Sequence, residues 1–173
     1  MTSERLMPPS FKLGQHTQST MGYLVNNQVD SFFKPQEGMR SILGFNVPDF
    51  QRDLVWSEEK QLSFLESAWR GIPLGTFSIN VLPEDYDHPF DGLILDGQQR
   101  LHTIERYLND ELPANGYLWS DLTPADKRHF KNGIHFPHYE VHSKDEMFLR
   151  EYYDLMNFGG VDHKPEERAL PSP

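Results

Sequence analysis

The sequence contains no cysteine. That excludes a disulfide framework, a thiolate metal site and a cysteine nucleophile, and leaves redox compartment unaddressed by cysteine usage. No apolar run approaches the roughly 20 residues that cross a bilayer. The opening "MTSERLMPPSFKLGQ" has no apolar core of the secretory kind. A cytoplasmic protein with no membrane partner is therefore expected. Positive charge is also scarce: 16 Lys+Arg stand against 26 Asp+Glu, for a net charge of -10. Proteins that grip duplex nucleic acid through its backbone carry a basic surplus, so composition argues against that mode. A small phosphorylated ligand needs only a local cluster of donors and is still allowed.

The chain has 173 residues, 37% hydrophobic and 13% aromatic, enough for one full core and short for two. Residues 1–40 are rich in Gln, Asn, Ser and Thr with little periodicity, and read as an irregular arm or short hairpin. Residues 41–168 carry the domain. Residues 169–173 end a proline-bearing stretch, "DHKPEERALPSP", that reads as a frayed tail.

Within the domain, "SILGFNV" (41–47) reads as a strand stopped by Pro48. "SEEKQLSFLESAWRG" reads as a helix capped by Ser57, with Leu62, Leu65 and Trp69 at helical spacing and Gly71 as its stop. "TFSINVL" alternates Phe77, Ile79 and Val81 against Ser78 and Asn80, the pattern of a half-buried strand whose partner is "LIL". A helix carrying Leu101, Ile104 and Leu108 follows "DG". Two more helices are expected, one capped by Thr123 with Pro124 at its first position, one by a Ser143 and Glu146 capping box. A strand in "GIHFPHYEVH" separates them. The fold class is α+β, with a small mixed sheet and flanking helices.

Chemistry concentrates in "LILDGQQRLHTIERYL". A strand runs into Asp96, turns at Gly97 and enters a helix at once. One reading makes Asp96 an N-cap and Gln99 its capping-box partner, with Gly97 merely allowing the turn. That reading does not account for Arg100, a cation in the first turn, where the helix dipole opposes it. His102 adds a second candidate cation. Both are accounted for if an anion binds where helix-start N–H groups converge, with Arg100 as its bidentate partner. A second Gln-Arg pair, Gln51 and Arg52 in "VPDFQRDLVW", sits beside another strand end between Phe50 and Trp56. The two pairs can clamp one polyanion from opposite sides; alternatively Arg52 is a surface residue and the aromatics are core anchors. Other cations, Arg40 and Arg106, could extend such a groove. Asn157, in "NFGG", either belongs to a helix stop or lines the same cleft. His135, His138 and His142 offer at best a metal pair, against the reading that they are solvated.

"VPDFQRDLVWSEEKQLSFLESAWRGIPLGTFSI", "LILDGQQRLHTI" and "LMNFGGVDHKPEER" together resemble the N-terminal domain family of GmrSD-type Type IV restriction enzymes, over residues 41–168 and in the same order. That family is similar to the ParB/sulfiredoxin fold, in which a strand-turn-helix motif ending in Arg holds nucleotide phosphates. The resemblance implies NTP binding and hydrolysis that licenses DNA cleavage. It places Asp96, Gly97, Gln98, Gln99 and Arg100 in the nucleotide motif, with Gln51 and Arg52 as the opposite wall. His102 stands where the family usually has Thr. The family's nuclease domain has no counterpart in these residues, so a partner such as a nuclease is expected.

Phosphoryl transfer needs mostly positioning and charge stabilisation. Asp96 can hold Mg²⁺ or orient the attacking water, and Gln98 or Gln99 can position water or read the base. Two alternatives stay open: a ParB-like enzyme acting on phosphorylated or hypermodified DNA bases, as in bacteriophages, and a binding module for a protein partner.

Overall fold

The computed structural model describes residues 7–158. In chain order the elements are β1 (Gln15–Thr17), α1 (Met21–Asp30), β2 (Arg40–Ile42), β3 (Phe45–Val47), α2 (Glu58–Trp69), β4 (Phe77–Asn80), β5 (Leu93–Asp96), α3 (Gln98–Leu108), α4 (Pro124–Gly133), β6 (His138–Val141) and α5 (Glu146–Phe158). The strands form one six-stranded sheet in the order β1-β6-β4-β5-β3-β2. β5 is central, antiparallel to β4 and parallel to β3; β6 runs parallel to β4. The α+β class with a small mixed sheet is the one the patterning indicates.

Both faces of the sheet are covered. Successive side chains of a strand point to opposite faces, and β5 divides accordingly. Ile94 joins Phe45, Phe77 and Ile79 in a core with Leu24 of α1, Leu65 of α2, Leu101 and Ile104 of α3 and Phe130 of α4. Leu93 and Leu95 join a second cluster with Leu149 and Tyr152 of α5. Each fully buried side chain of this size contributes about 1.5–3 kcal/mol. A half-buried β4 was expected from its alternation, but all four of its residues are buried. The polar positions lie under α5: the Ser78 hydroxyl is 3.0 Å from the Tyr152 hydroxyl, and the Asn80 amide donates to the carbonyls of Phe90 and Ser143. Alternation marked polarity there, and hydrogen bonds made the burial affordable.

Three local expectations change. Residues 1–40 are not wholly irregular, because β1 and α1 lie within them. Met21, Leu24 and Val25 of α1 are buried at helical spacing, and the buried Asn27 is satisfied by donating to Leu43 O and accepting from Phe32 N–H. "SILGFNV" is a hairpin rather than one strand: Leu43 and Gly44 at φ 53° and 80° form the tight turn between β2 and β3. At α5 the cap is Asp145, whose Oδ1 accepts from Met147 and Phe148 N–H; Ser143 Oγ instead accepts from Asp145 N–H, two residues too early to cap. The Ser57 cap of α2 and the Thr123 cap of α4, with Pro124 behind it, form as expected, and Asp126 closes a capping box with Thr123. Residues 159–173, including Gly159, Gly160 and the tail, lie outside the described residues.

Candidate functional site

The β5-to-α3 corner is built by one glycine. Gly97 has φ 92°, and a Cβ there would lie 2.7 Å from Phe77 Cβ, so both backbone conformation and packing demand glycine. Gly97 is the N-cap of α3 and provides no side-chain cap. The N-cap side chain that usually meets the first N–H groups of a helix is thus missing at this corner. The Asp96 and Gln99 capping box does not form.

Asp96 pairs with Arg100 instead. Arg100 Nη2 lies 3.1 Å from Asp96 Oδ2, and Nη1 donates to Leu74 O at 3.0 Å. The guanidinium also lies 5.7 Å from the Phe136 ring centre. The cation in this first turn is thus offset by the protein's own carboxylate. Burial pushes the Asp96 pKa up, and the charges of Arg100 and Arg52 with a Gly97 backbone hydrogen bond offset this only in part.

The two glutamines have opposite fates. Gln99 is fully engaged: Oε1 accepts from Val55 and Trp56 N–H, and Nε2 donates to Asp53 O. It staples the 53–56 loop to α3. Gln98 is equally buried, at 4% exposure, yet neither its Oε1 nor its Nε2 has a hydrogen-bond partner among the described residues. A buried unsatisfied amide is costly, so its retention here calls for a ligand or water.

Arg52, Trp56, Asn157 and the residues from Asp96 to Arg100 enclose a cavity of about 70 Å³. The Arg52 backbone N–H donates to the Tyr153 hydroxyl of α5, which fixes this opposite wall. Asn157 reaches the cleft from α5 and donates to Tyr153 O. Five of the residues singled out in the sequence beside Arg52 and Asn157 (Asp96, Gly97, Gln98, Gln99, Arg100) thus converge. Gln51 does not line the cavity: it donates to Ile94 O and ties its loop to β5. His102 does not line it either, lying 3.5 Å from Glu105 one turn along. Trp56, read as a core anchor or flanking aromatic, is a wall of the cleft, and its place beside Arg52 in "FQRDLVW" was the available signal.

Arg40 and Arg106 do not extend a basic groove. Arg40 is on the edge strand β2, and Arg106, near the far end of α3, is held by Gln61 and Glu111. The three histidines also separate. His138 is buried rather than solvated, stacked on Tyr23 and Phe77, whereas His142 caps Val81 O at the surface. Among the described residues no group of three or more His, Asp or Glu side chains is placed to hold a metal ion.

The β5-to-α3 corner thus brings together a helix start without a capping side chain, Arg52, Arg100 and an amide that has no partner among the described residues. The chain belongs to the family of the GmrSD restriction endonuclease N-terminal domain, whose model matches residues 30–168. No curated protein and no solved structure matches it. Membership points to a DNA-related role in a restriction-type system. No helix among the described residues is long and apolar enough to cross a membrane.

Proposed function

We propose that this chain binds the terminal phosphate of a nucleoside triphosphate at the β5-to-α3 corner and hydrolyses it, within a DNA restriction process. The observation that carries this reading is Gln98, a buried amide with no partner at an uncapped helix start, between two arginines. Helix N–H groups and the positive dipole end favour a phosphate there. A cavity of about 70 Å³ suits one phosphoryl group, with sugar and base toward the opening.

In this mechanism the Gln98 amide and the helix N–H groups hold the phosphoryl oxygens. Arg52 and Arg100 stabilise the charge that develops on the group in transfer. Water oxygen bonds to the γ-phosphorus, the bond to the β–γ bridging oxygen breaks, and the diphosphate leaves with that electron pair. The water proton passes to Asp96. Its raised pKa makes Asp96 a better proton acceptor than an ordinary carboxylate. The Gln98 amide oxygen, and the Asp96 carboxylate where it does not serve as the base, are hard oxygen donors of the kind Mg²⁺ takes alongside nucleotide phosphates. When bound, the ion would neutralise phosphate charge. Modified DNA as substrate or activator, and a nuclease as protein partner, complete the proposal.

Phosphate release from the four NTPs with Mg²⁺, with and without DNA, tests it. Release by the wild type that falls about a hundredfold or more in Asp96→Asn supports the assignment. No release and no binding of any NTP, with or without DNA, overturns it.

A further inference from the structure

A second cavity, of about 370 Å³, opens between Trp69 at the end of α2, Tyr107 on α3 and the segment leading into α4. Tyr107 lies seven residues beyond Arg100 on the same helix, about 10 Å farther along its axis. This cavity is therefore separate from the corner.

Its mouth carries an aromatic ring that the fold does not bury. Tyr117 is 61% exposed. It is presented by a tight turn in which Ala114 and Tyr117 exchange backbone hydrogen bonds of 2.8 and 3.0 Å, with Asn115 and Gly116 at φ 49° and 84°. Asn-Gly is a strongly preferred pair for such a two-residue turn, because both positions need positive φ. Inside, Tyr107 is fully buried and its hydroxyl proton meets no acceptor among the described residues; the Trp69 indole N–H lies close enough to donate to the phenol oxygen. Burial pushes the Tyr107 pKa up to about 12, and the nearby Trp69 N–H offsets this only in part. The phenol keeps its proton at any ordinary pH. Even with the indole N–H directed at the phenol oxygen, that proton has no acceptor. A ligand or a water can supply one.

The rim supplies the opposite polarity. Asp121 uses Oδ2 to accept from Leu118 N–H, and Asp126 uses Oδ2 for the Thr123 cap. Each has a second carboxylate oxygen with no hydrogen bond among the described residues. A buried donor inside, carboxylate acceptors at the rim and an aromatic platform at the mouth specify a flat ring with an acceptor on one edge and an amino group on another.

We propose that this cavity binds a planar nitrogen heterocycle of nucleobase size: its acceptor takes the Tyr107 hydroxyl proton, its amino group donates to Asp121 or Asp126, and its face stacks on Tyr117. Such a ring can come from a free nucleoside or from an unpaired base of a strand. Lys127, Arg128 and Lys131 of α4 line the adjoining groove, and none of them makes an ion pair among the described residues. They would hold the backbone of a strand.

Calorimetric titration with cytidine, adenosine, uridine and thymidine, and with a short single-stranded oligonucleotide of mixed sequence, tests the assignment. Cytidine or adenosine should bind at least about tenfold more tightly than uridine and thymidine, which lack the amino group. Tyr107→Phe, which keeps the ring and removes only a hydroxyl whose proton has no acceptor, should stay folded with an unfolding midpoint close to the wild type and lose about tenfold in affinity. Asp121→Asn with Asp126→Asn should erase the preference for amino-bearing bases. Tighter, salt-sensitive binding of the oligonucleotide that weakens in Arg128→Ala assigns the ring to a strand; equal binding assigns it to a free nucleoside. Gln98→Leu, which removes the corner amide, should leave this binding in place, so failure of either site is distinguishable from failure of the other. No binding of any nucleoside or of the oligonucleotide at millimolar concentration, or binding that Tyr107→Phe does not change, overturns the proposal.

Discussion

Arg100 Nη2 lies 3.1 Å from Asp96 Oδ2, one helical turn back across the strand-to-helix corner. Both side chains are mostly buried, at 20% and 16% exposure. Removing the guanidinium would leave a buried carboxylate already inclined to hold its proton. Arg100→Ala should therefore cost about 3 kcal/mol at pH 7, read from urea unfolding. The loss should shrink as pH falls and Asp96 becomes protonated, and Asp96→Asn in the same chain should recover part of it. A cost below about 0.5 kcal/mol would place the pair in the class of inert surface ion pairs.

Gln99 should behave as a structural residue despite its place in the motif. Its amide makes three hydrogen bonds to the backbone of the 53–56 loop. Gln99→Ala strands two N–H donors and one carbonyl, at a cost of roughly 2 kcal/mol or more. Amide exchange at Val55 and Trp56 should accelerate in the variant. Unchanged protection at both positions would show that the loop is held by something else.

Two glycines with nearly the same backbone allow strain and crowding to be separated. Gly97 and Gly116 have φ 92° and 84°, but an added Cβ meets Phe77 at 2.7 Å in the first and nothing within 4 Å in the second. Gly116→Ala should cost about 1 kcal/mol, for the left-handed conformation alone. Gly97→Ala should cost clearly more. Equal midpoints for the two variants would mean that Phe77 moves aside freely.

His138 should impose a pH dependence on stability. Burial lowers its pKa, and a hydrogen bond and charge from Glu140 offset this only in part. Its Nδ1 lies 2.8 Å from Ser19 Oγ, and its Nε2 lies 3.1 Å from Glu140 Oε1. The folded pKa is below the unfolded one, so the contribution is complete above the unfolded value of about 6.5. It is lost as pH falls through the folded pKa, because the unfolded chain takes up a proton the folded one resists. His138→Gln should flatten the stability profile below about pH 6.5. A profile that keeps its slope in the variant would assign the dependence to other groups.

The helices with strong local signals were legible: Ser57 caps α2, Thr123 with Pro124 behind it starts α4, and the Leu101, Ile104 and Leu108 spacing marks α3. What was hidden depended on tertiary partners. Nothing local distinguishes Ser78 and Asn80 facing water from the same residues beneath Tyr152 and Ser143. Helix α1 is half polar by composition, and its buried Asn27 is satisfied only by Leu43 and Phe32, outside the helix. The corner was legible as a place, because a glycine between a strand and a helix with Arg in its first turn is an unusual arrangement. The division of labour inside it was not. Gln98 and Gln99 are identical neighbours, separated in role by the path of a loop more than 40 residues earlier in the chain. Likewise Gln51 turned to Ile94 while Arg52 turned to the cleft, a choice set by strand position rather than by residue type.

The most direct test of the phosphate-corner account is thermal unfolding of the wild type and of Gln98→Leu, with and without saturating NTP and Mg²⁺. Replacing a buried amide that has no partner by an apolar side chain of similar size should leave the ligand-free protein as stable as the wild type or more so. A ligand that binds only the folded state raises its midpoint by mass action, by a few degrees for a site of ordinary affinity. The account predicts that Gln98→Leu keeps or gains midpoint without nucleotide and loses the nucleotide-induced rise. A destabilised variant that still shows the full rise would contradict it.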